Sequence, residues 1–109
     1  MSKTKIIYLL AIRDLNVYKV GISSNVEKRI KTLQTGCPYK LEILKTFQSP
    51  KASKIEKVLH RQYSSKKIDE NEYSLKGEWF YLGIKTIINF KEICSQIEFD
   101  LKLIEKPLF

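Results

Sequence analysis

Two apolar runs separated by four turn residues constrain this chain more than anything else in it. "KIIYLLAI" (5–12) is compact and rich in Ile with a Tyr, a composition that favours a strand, and "VYKVGIS" (17–23) has the same character. Between them, "RDLN" offers Asp14 and Asn16, whose short polar side chains suit a turn. The pair predicts a hairpin over 5–23. Ser24 and Glu27 then have the spacing of a capping box, which predicts a helix running to about Thr35, with Gly36 as its stop and Pro38 just beyond.

"KLEILKTF" (40–47) sets Leu41, Ile43 and Lys45 against Glu42, Leu44 and Thr46, and predicts a third strand. Ser49 as cap and Pro50 at the first helical position open a second helix, "SPKASKIEKVLHRQY". "SSKKIDENEYSLK" is a polar loop, and "GEWFYL" a short strand or extended turn. From Gly83 the pattern is helical but changes phase: Ile84, Ile87 and Ile88 share one face, and Phe90, Cys94, Ile97, Leu101 and Ile104 another. A bend near Asn89, or a helix packed on two sides, is expected. The order ββαβα plus a C-terminal helix predicts an α/β (α+β) domain, a small, mainly antiparallel three-stranded sheet flanked by helices. Residues 1–82 form its core and 83–109 a helical extension packed on that core, one domain overall, as 109 residues suit.

Charge is distributed unevenly. Residues 1–82 hold 16 Lys/Arg against 8 Asp/Glu and residues 83–109 four against four, so the first part carries the whole net charge of +8. A basic body suggests a polyanion as partner, with nucleic acid the usual one, although charge alone divides evenly between that and chance. No apolar run approaches a membrane span, and no long apolar region or cleavage site follows the basic start, so neither membrane nor signal peptide is expected. Cys37 and Cys94 lack metal-ligand spacing, and His60 is the single histidine, which argues against a structural zinc site. Both cysteines read as reduced and the chain as intracellular, hence cytoplasmic.

Helical periodicity sorts the remaining polar groups. In the first helix Val26, Ile30 and Leu33 form the stripe, Lys28 and Lys31 face water, and Arg29 falls on the stripe's flank. A fixed guanidinium fork suits a phosphate, but periodicity alone leans toward a salt bridge with a nearby acid. In the second helix the stripe is Ala52, Ile55, Val58 and Leu59, with Glu56, His60 and Tyr63 along one flank. An imidazole braced by a carboxylate one turn earlier is a proton-handling unit; the plainer reading is a partly exposed histidine on a basic helix. On the second strand Val17, Lys19 and Gly21 share one side, and Tyr18, Val20 and Ile22 mark the core side. Gly21 signals a bulge or a close approach by another group, and Tyr8 can share that surface if the register allows. Glu78 sits between a glycine and two large aromatics, as a turn residue or a ligand to magnesium, which one or two carboxylates hold together with phosphate oxygens.

"YKVGISSNVEKRIKTLQTG", "IEKVLHRQY" and "GEWF" together resemble the GIY-YIG nuclease superfamily, in its small phage and bacterial branch, from Tyr8 to about Leu82. Ile6 stands where that family's first motif has glycine, and Lys19 where its second has tyrosine. The resemblance implies metal-assisted hydrolysis of a phosphodiester in DNA, with Tyr8, Lys19, Arg29, His60 and Glu78 catalytic and Gly21 and Glu56 in support. Glu78 would bind one Mg²⁺ (or Mn²⁺), Tyr8 with Lys19 or His60 would activate water, Arg29 would stabilise the developing charge, and Glu56 would hold His60. Lys54, Lys57, Arg61, Lys66 and Lys67 are the expected backbone contacts. A non-catalytic nucleic-acid-binding module on the same scaffold is the alternative. The resemblance, in which separate domains often supply specificity, implies either weak or relaxed specificity for this chain alone, or a protein partner or homodimer that supplies it.

Overall fold

The apolar run 5–12 is buried along almost its whole length because it becomes the middle of the sheet. The computed structural model describes residues 4–69 and 71–105; the first residues of the basic start and the last four of the extension lie outside the described residues. Strand β1 (Lys5–Ile12) pairs antiparallel with β2 (Val17–Ser23) on one side and β3 (Glu42–Ser49) on the other, giving the order β2-β1-β3. Helix α1 (Val26–Thr35) follows the hairpin, and α2 (Ala52–Gln62) follows β3. Beyond a loop come a short α3 (Ile84–Ile88) and the longer α4 (Phe90–Glu105), broken at Asn89 as the phase change predicts. This is the expected α+β architecture, with a three-stranded antiparallel sheet.

Several details differ from the sequence reading. The cap of α1 is Asn25, whose Oδ1 accepts from the Lys28 N–H at 3.1 Å, while the Ser23 hydroxyl accepts from the Asn25 N–H at 3.0 Å. Asparagine at N-cap satisfies the same orphan donors as the expected Ser24–Glu27 box, one residue later. β3 lies two residues further along than 40–47, because the Leu41 N–H is taken by the Gln34 side chain at 2.9 Å and the ladder to β1 begins only at Glu42. Ser49 therefore ends a strand instead of capping a helix. Its hydroxyl accepts from the Lys51 N–H and bonds Glu98, and Pro50 sits in the turn before α2.

The largest correction concerns the sheet's two faces. Ile7, Leu9 and Val20 pack under α2 and α4 with Ile55, Leu59, Phe90 and Cys94. The opposite face, read as the surface of β2, is a second core: Tyr8, Leu10, Ile12 and Val17 are buried with Val26, Leu41, Ile68, Leu75 and Trp79. A central strand apolar on every residue signals a sheet covered on both sides. Of the last helical face, Phe90, Cys94 and Ile97 are buried, but Ile104 is exposed, as are Ile84 and Ile88 of the preceding helix. The far end of α4 is clasped instead by Glu105, which ion-pairs with Lys51 and Lys54.

The "GEWFYL" segment has its own place. Tyr18 and Phe80 exchange two backbone hydrogen bonds at 2.8 and 2.9 Å, and Ile68 N–H and Tyr81 N–H bond Trp79 and Lys66 carbonyls. Phe80 thus bridges the outer edge of β2 at Tyr18 on one side and Lys67 on the other. Glu78 arrives there with it.

Candidate active site at the edge of strand β2

Both faces of the sheet contribute groups to this edge. From the α1 side come Tyr8, Lys19 and Gly21, aligned by the register that sets Tyr8 opposite Gly21 and Leu10 opposite Lys19. From the α2 side comes His60, whose ring packs 5.6 Å from Phe80. Its Nε2 lies 2.9 Å from the Val20 carbonyl oxygen, and its Nδ1 lies 3.0 Å from Glu78 Oε2. A carbonyl oxygen only accepts, so Nε2 carries a proton; a carboxylate also only accepts, so both bonds form together when the ring is an imidazolium. Glu56 makes no hydrogen bond to His60 among the described residues. The carboxylate that braces this histidine is Glu78, brought from across the loop rather than from one turn earlier.

The second Glu78 oxygen faces the Lys67 ammonium at 3.5 Å. Sequence reasoning placed Lys67 among the backbone contacts and missed this pairing, which long-range folding creates and no local spacing announces. Lys54, by contrast, is engaged by Glu105. Lys57, Arg61 and Lys66 are exposed.

Lys19 is half-buried, with its ammonium 5.7 Å from the centre of the Trp79 ring. Burial pushes its pKa below the ordinary 10.5, the Arg29 guanidinium adds to the shift, and Glu78 and Glu56 oppose it. Glu56 therefore acts on Lys19 across the site. Arg29 is exposed and makes no ion pair among the described residues, so the salt bridge expected from periodicity is not there. Its charge remains available.

Two glycines make room for these groups. A Cβ at Gly77 would lie 2.4 Å from Lys19 Nζ, and Gly77 also has φ +88°, a conformation side chains resist. A Cβ at Gly21 would lie 2.2 Å from the Tyr8 hydroxyl oxygen and 2.4 Å from its Cζ. The close approach inferred from a glycine inside a strand is thus the Tyr8 ring. Gly21→Ala is expected to destabilise the fold by about 1–3 kcal/mol through overpacking, since Tyr8 is fully buried and cannot swing aside. In a Tyr8→Leu background the same change should cost less in chemical denaturation; equal costs in both backgrounds would refute the clash.

Lys19 carries a second expectation. The folded chain holds its proton less tightly than the unfolded chain, so its destabilising effect is full below the lowered pKa and gone above 10.5. Lys19→Met should therefore stabilise the protein at pH 7 by on the order of 1 kcal/mol, since the apolar side chain has no charge to desolvate. The gain should shrink as pH approaches 10.5. A pH-independent difference between the two melting curves would count against it.

Among the described residues no group of three or more His, Cys, Asp or Glu comes together, so no all-protein metal cage is present. The one carboxylate of the site, Glu78, borders an open pocket with Lys67, Asn71 and Lys76, and its two oxygens face His60 and Lys67. Among the described residues no helix is long and apolar enough to cross a membrane.

The model of one protein family, the T5orf172 domain, matches residues 5–95. No curated protein and no solved structure matches the chain. The family match corrects the resemblance to GIY-YIG nucleases, which rested on three short motifs. Ile6 and Lys19, the departures inside those motifs, were the signal against it. The match also continues past Leu82, where the motifs end, through α3 and into α4. That agrees with the full burial of Phe90 and Cys94 in the core. The T5orf172 domain is associated with endonuclease-like proteins, a class of nuclease-like or DNA-binding modules.

Proposed function

The chain belongs to the T5orf172 domain family, and on that premise we propose that it is a metal-dependent endonuclease hydrolysing phosphodiester bonds in DNA. The observation that carries this reading is the convergence of Glu78, His60 and Lys19 on one sheet edge, beside helix α1, whose exposed Arg29 guanidinium is unpaired among the described residues. Glu78 would hold the ion together with substrate oxygens, and a bound Mg²⁺ or Mn²⁺ would polarise the phosphate. Lys19 and Arg29 place positive charge where the transferring phosphoryl group develops negative charge. His60, fixed by the Val20 carbonyl through Nε2, presents Nδ1 for exchange of a proton with water or Glu78. Tyr8 contributes chiefly by filling the space that Gly21 leaves, and its hydroxyl is the remaining candidate to orient water.

A second reading, a module that binds nucleic acid without cutting it, draws support from the pairing of both Glu78 oxygens with His60 and Lys67. Incubating supercoiled plasmid with the protein in Mg²⁺ or Mn²⁺ separates the two. Nicking that chelation abolishes supports the enzyme. Salt-sensitive binding with no nicking in either metal leaves the binding module.

A further inference from the structure

Helix α1 presents an outer face whose cations have no partners. Its ten residues hold Lys28, Arg29 and Lys31 against Glu27 alone, and all four are exposed. Glu27 stands one turn before Lys31, yet among the described residues neither lysine has an acid within ion-pair distance. On α2, by contrast, Lys54 is engaged by Glu105, as is Lys51 just before that helix. Thr32 and Thr35 share the α1 face and donate their hydroxyls to the Lys28 and Lys31 carbonyls at 3.1 and 3.0 Å. The face is therefore positive and polar. It lacks the exposed large apolar side chains that a helix lying on a lipid surface would bury; those occur at Tyr81 and on α3 and α4.

A third cation without an ionic partner among the described residues joins this face to the site. Lys76 shares one hollow with Thr32 and Gly36 at the end of α1, and a second with Lys67 and Glu78. Its backbone is held in place. The Trp79 indole N–H donates to its carbonyl at 3.1 Å, and the left-handed residues Ser74 (φ +56°) and Gly77 (φ +88°) flank it.

We propose that Lys28, Lys31 and Lys76 form a track for the phosphate backbone of DNA, leading from the outer face of α1 to the Glu78 edge. The inference rests on the reading above that this edge engages DNA, and it adds a second arm to the α2 cations. The β2 edge then lies between positive surfaces on both faces of the sheet, so backbone contacts flank Glu78 on either side. Such contacts fix register and orientation without reading bases. They also release counterions, which makes binding salt-dependent.

Two variants that each lose two positive charges test this: Lys28→Gln/Lys31→Gln on α1, and Lys85→Gln/Lys91→Gln on α3 and α4. All four lysines are exposed and without ionic partners among the described residues. A labelled blunt duplex is titrated in EDTA across a salt series, with bound fraction followed by anisotropy. The α1 pair should weaken binding about tenfold at about 0.1 M salt and flatten the log–log salt slope by about 2, roughly one per phosphate contact. Lys76→Gln should flatten it by about 1. The α3–α4 pair should change affinity by less than about twofold and leave the slope as it is. Equal effects from the two pairs, or an α1 pair that binds like wild type, overturns the track. Plasmid nicking is judged apart: nicking in metal with an unchanged α1 slope retains the nuclease and removes the track, and a flattened slope without nicking in any metal does the reverse. Wild-type protein that binds no duplex removes both, and its cosedimentation with phosphatidylserine vesicles would then mark the face as lipid-binding.

Discussion

Glu78→Gln is expected to lower metal-dependent nicking by about 10³-fold or more while DNA binding in EDTA is unchanged or slightly tighter. The substitution keeps the shape of the side chain and removes the negative charge that a hard cation requires. A metal's stabilisation of transition-state charge amounts to several kcal/mol, and each 1.36 kcal/mol is about tenfold in rate. Glu78 is about half exposed (47%), so the loss should not come from unfolding. Binding should not suffer, because one less negative charge near the phosphates leaves the lysines less opposed. Initial rates of plasmid nicking across a Mn²⁺ titration, with gel shifts in EDTA, test this. A Gln variant that nicks at the wild-type rate would remove Glu78 from the site.

Arg29→Ala is expected to cost about 10²–10³-fold in cleavage, the usual loss on removing one preorganised donor to developing charge. Its effect on stability should be small, within about 0.5 kcal/mol, because the side chain is exposed and has no ionic partner among the described residues. Arg29→Lys should recover only part of the activity, since an ammonium lacks the planar fork. Matched melting curves alongside single-turnover cleavage separate chemistry from folding. Activity lost in proportion to a lowered melting midpoint, or not lost at all, would refute the assignment.

What the sequence made legible here was local. The β1–β2 hairpin, α1 and α2 follow from apolar period and turn residues, and the break at Asn89 is the first of the two outcomes that the phase change allowed. Cap and register details were less legible, because Asn25 and Ser24 both suit a cap and only the surrounding hydrogen bonds choose between them. The two-sided burial of the sheet is written in β1, where every residue from Ile7 to Ile12 is apolar, and not in β2, where Lys19 and Gly21 interrupt the apolar pattern on one face. In the site, the residue types were readable and their partners were not. Periodicity pairs residues within one helix, so it proposed Glu56 for His60; the fold instead supplies Glu78 from 18 positions along the chain and the Val20 carbonyl from 40 positions back. Lys67 meets Glu78 only through that same long-range docking.

The strip at 79–81 has one more consequence. An open strand edge offers unpaired amides and carbonyls to any passing chain and so invites fibrous self-association. Here the segment that carries Glu78 also covers part of that edge, through Phe80 against Tyr18. The placement of Glu78 and the shielding of this part of the edge therefore depend on the same segment. A variant in which this strip is loosened would free Glu78 from His60 and uncover the Tyr18 backbone at once, so it should show a greater tendency to self-associate.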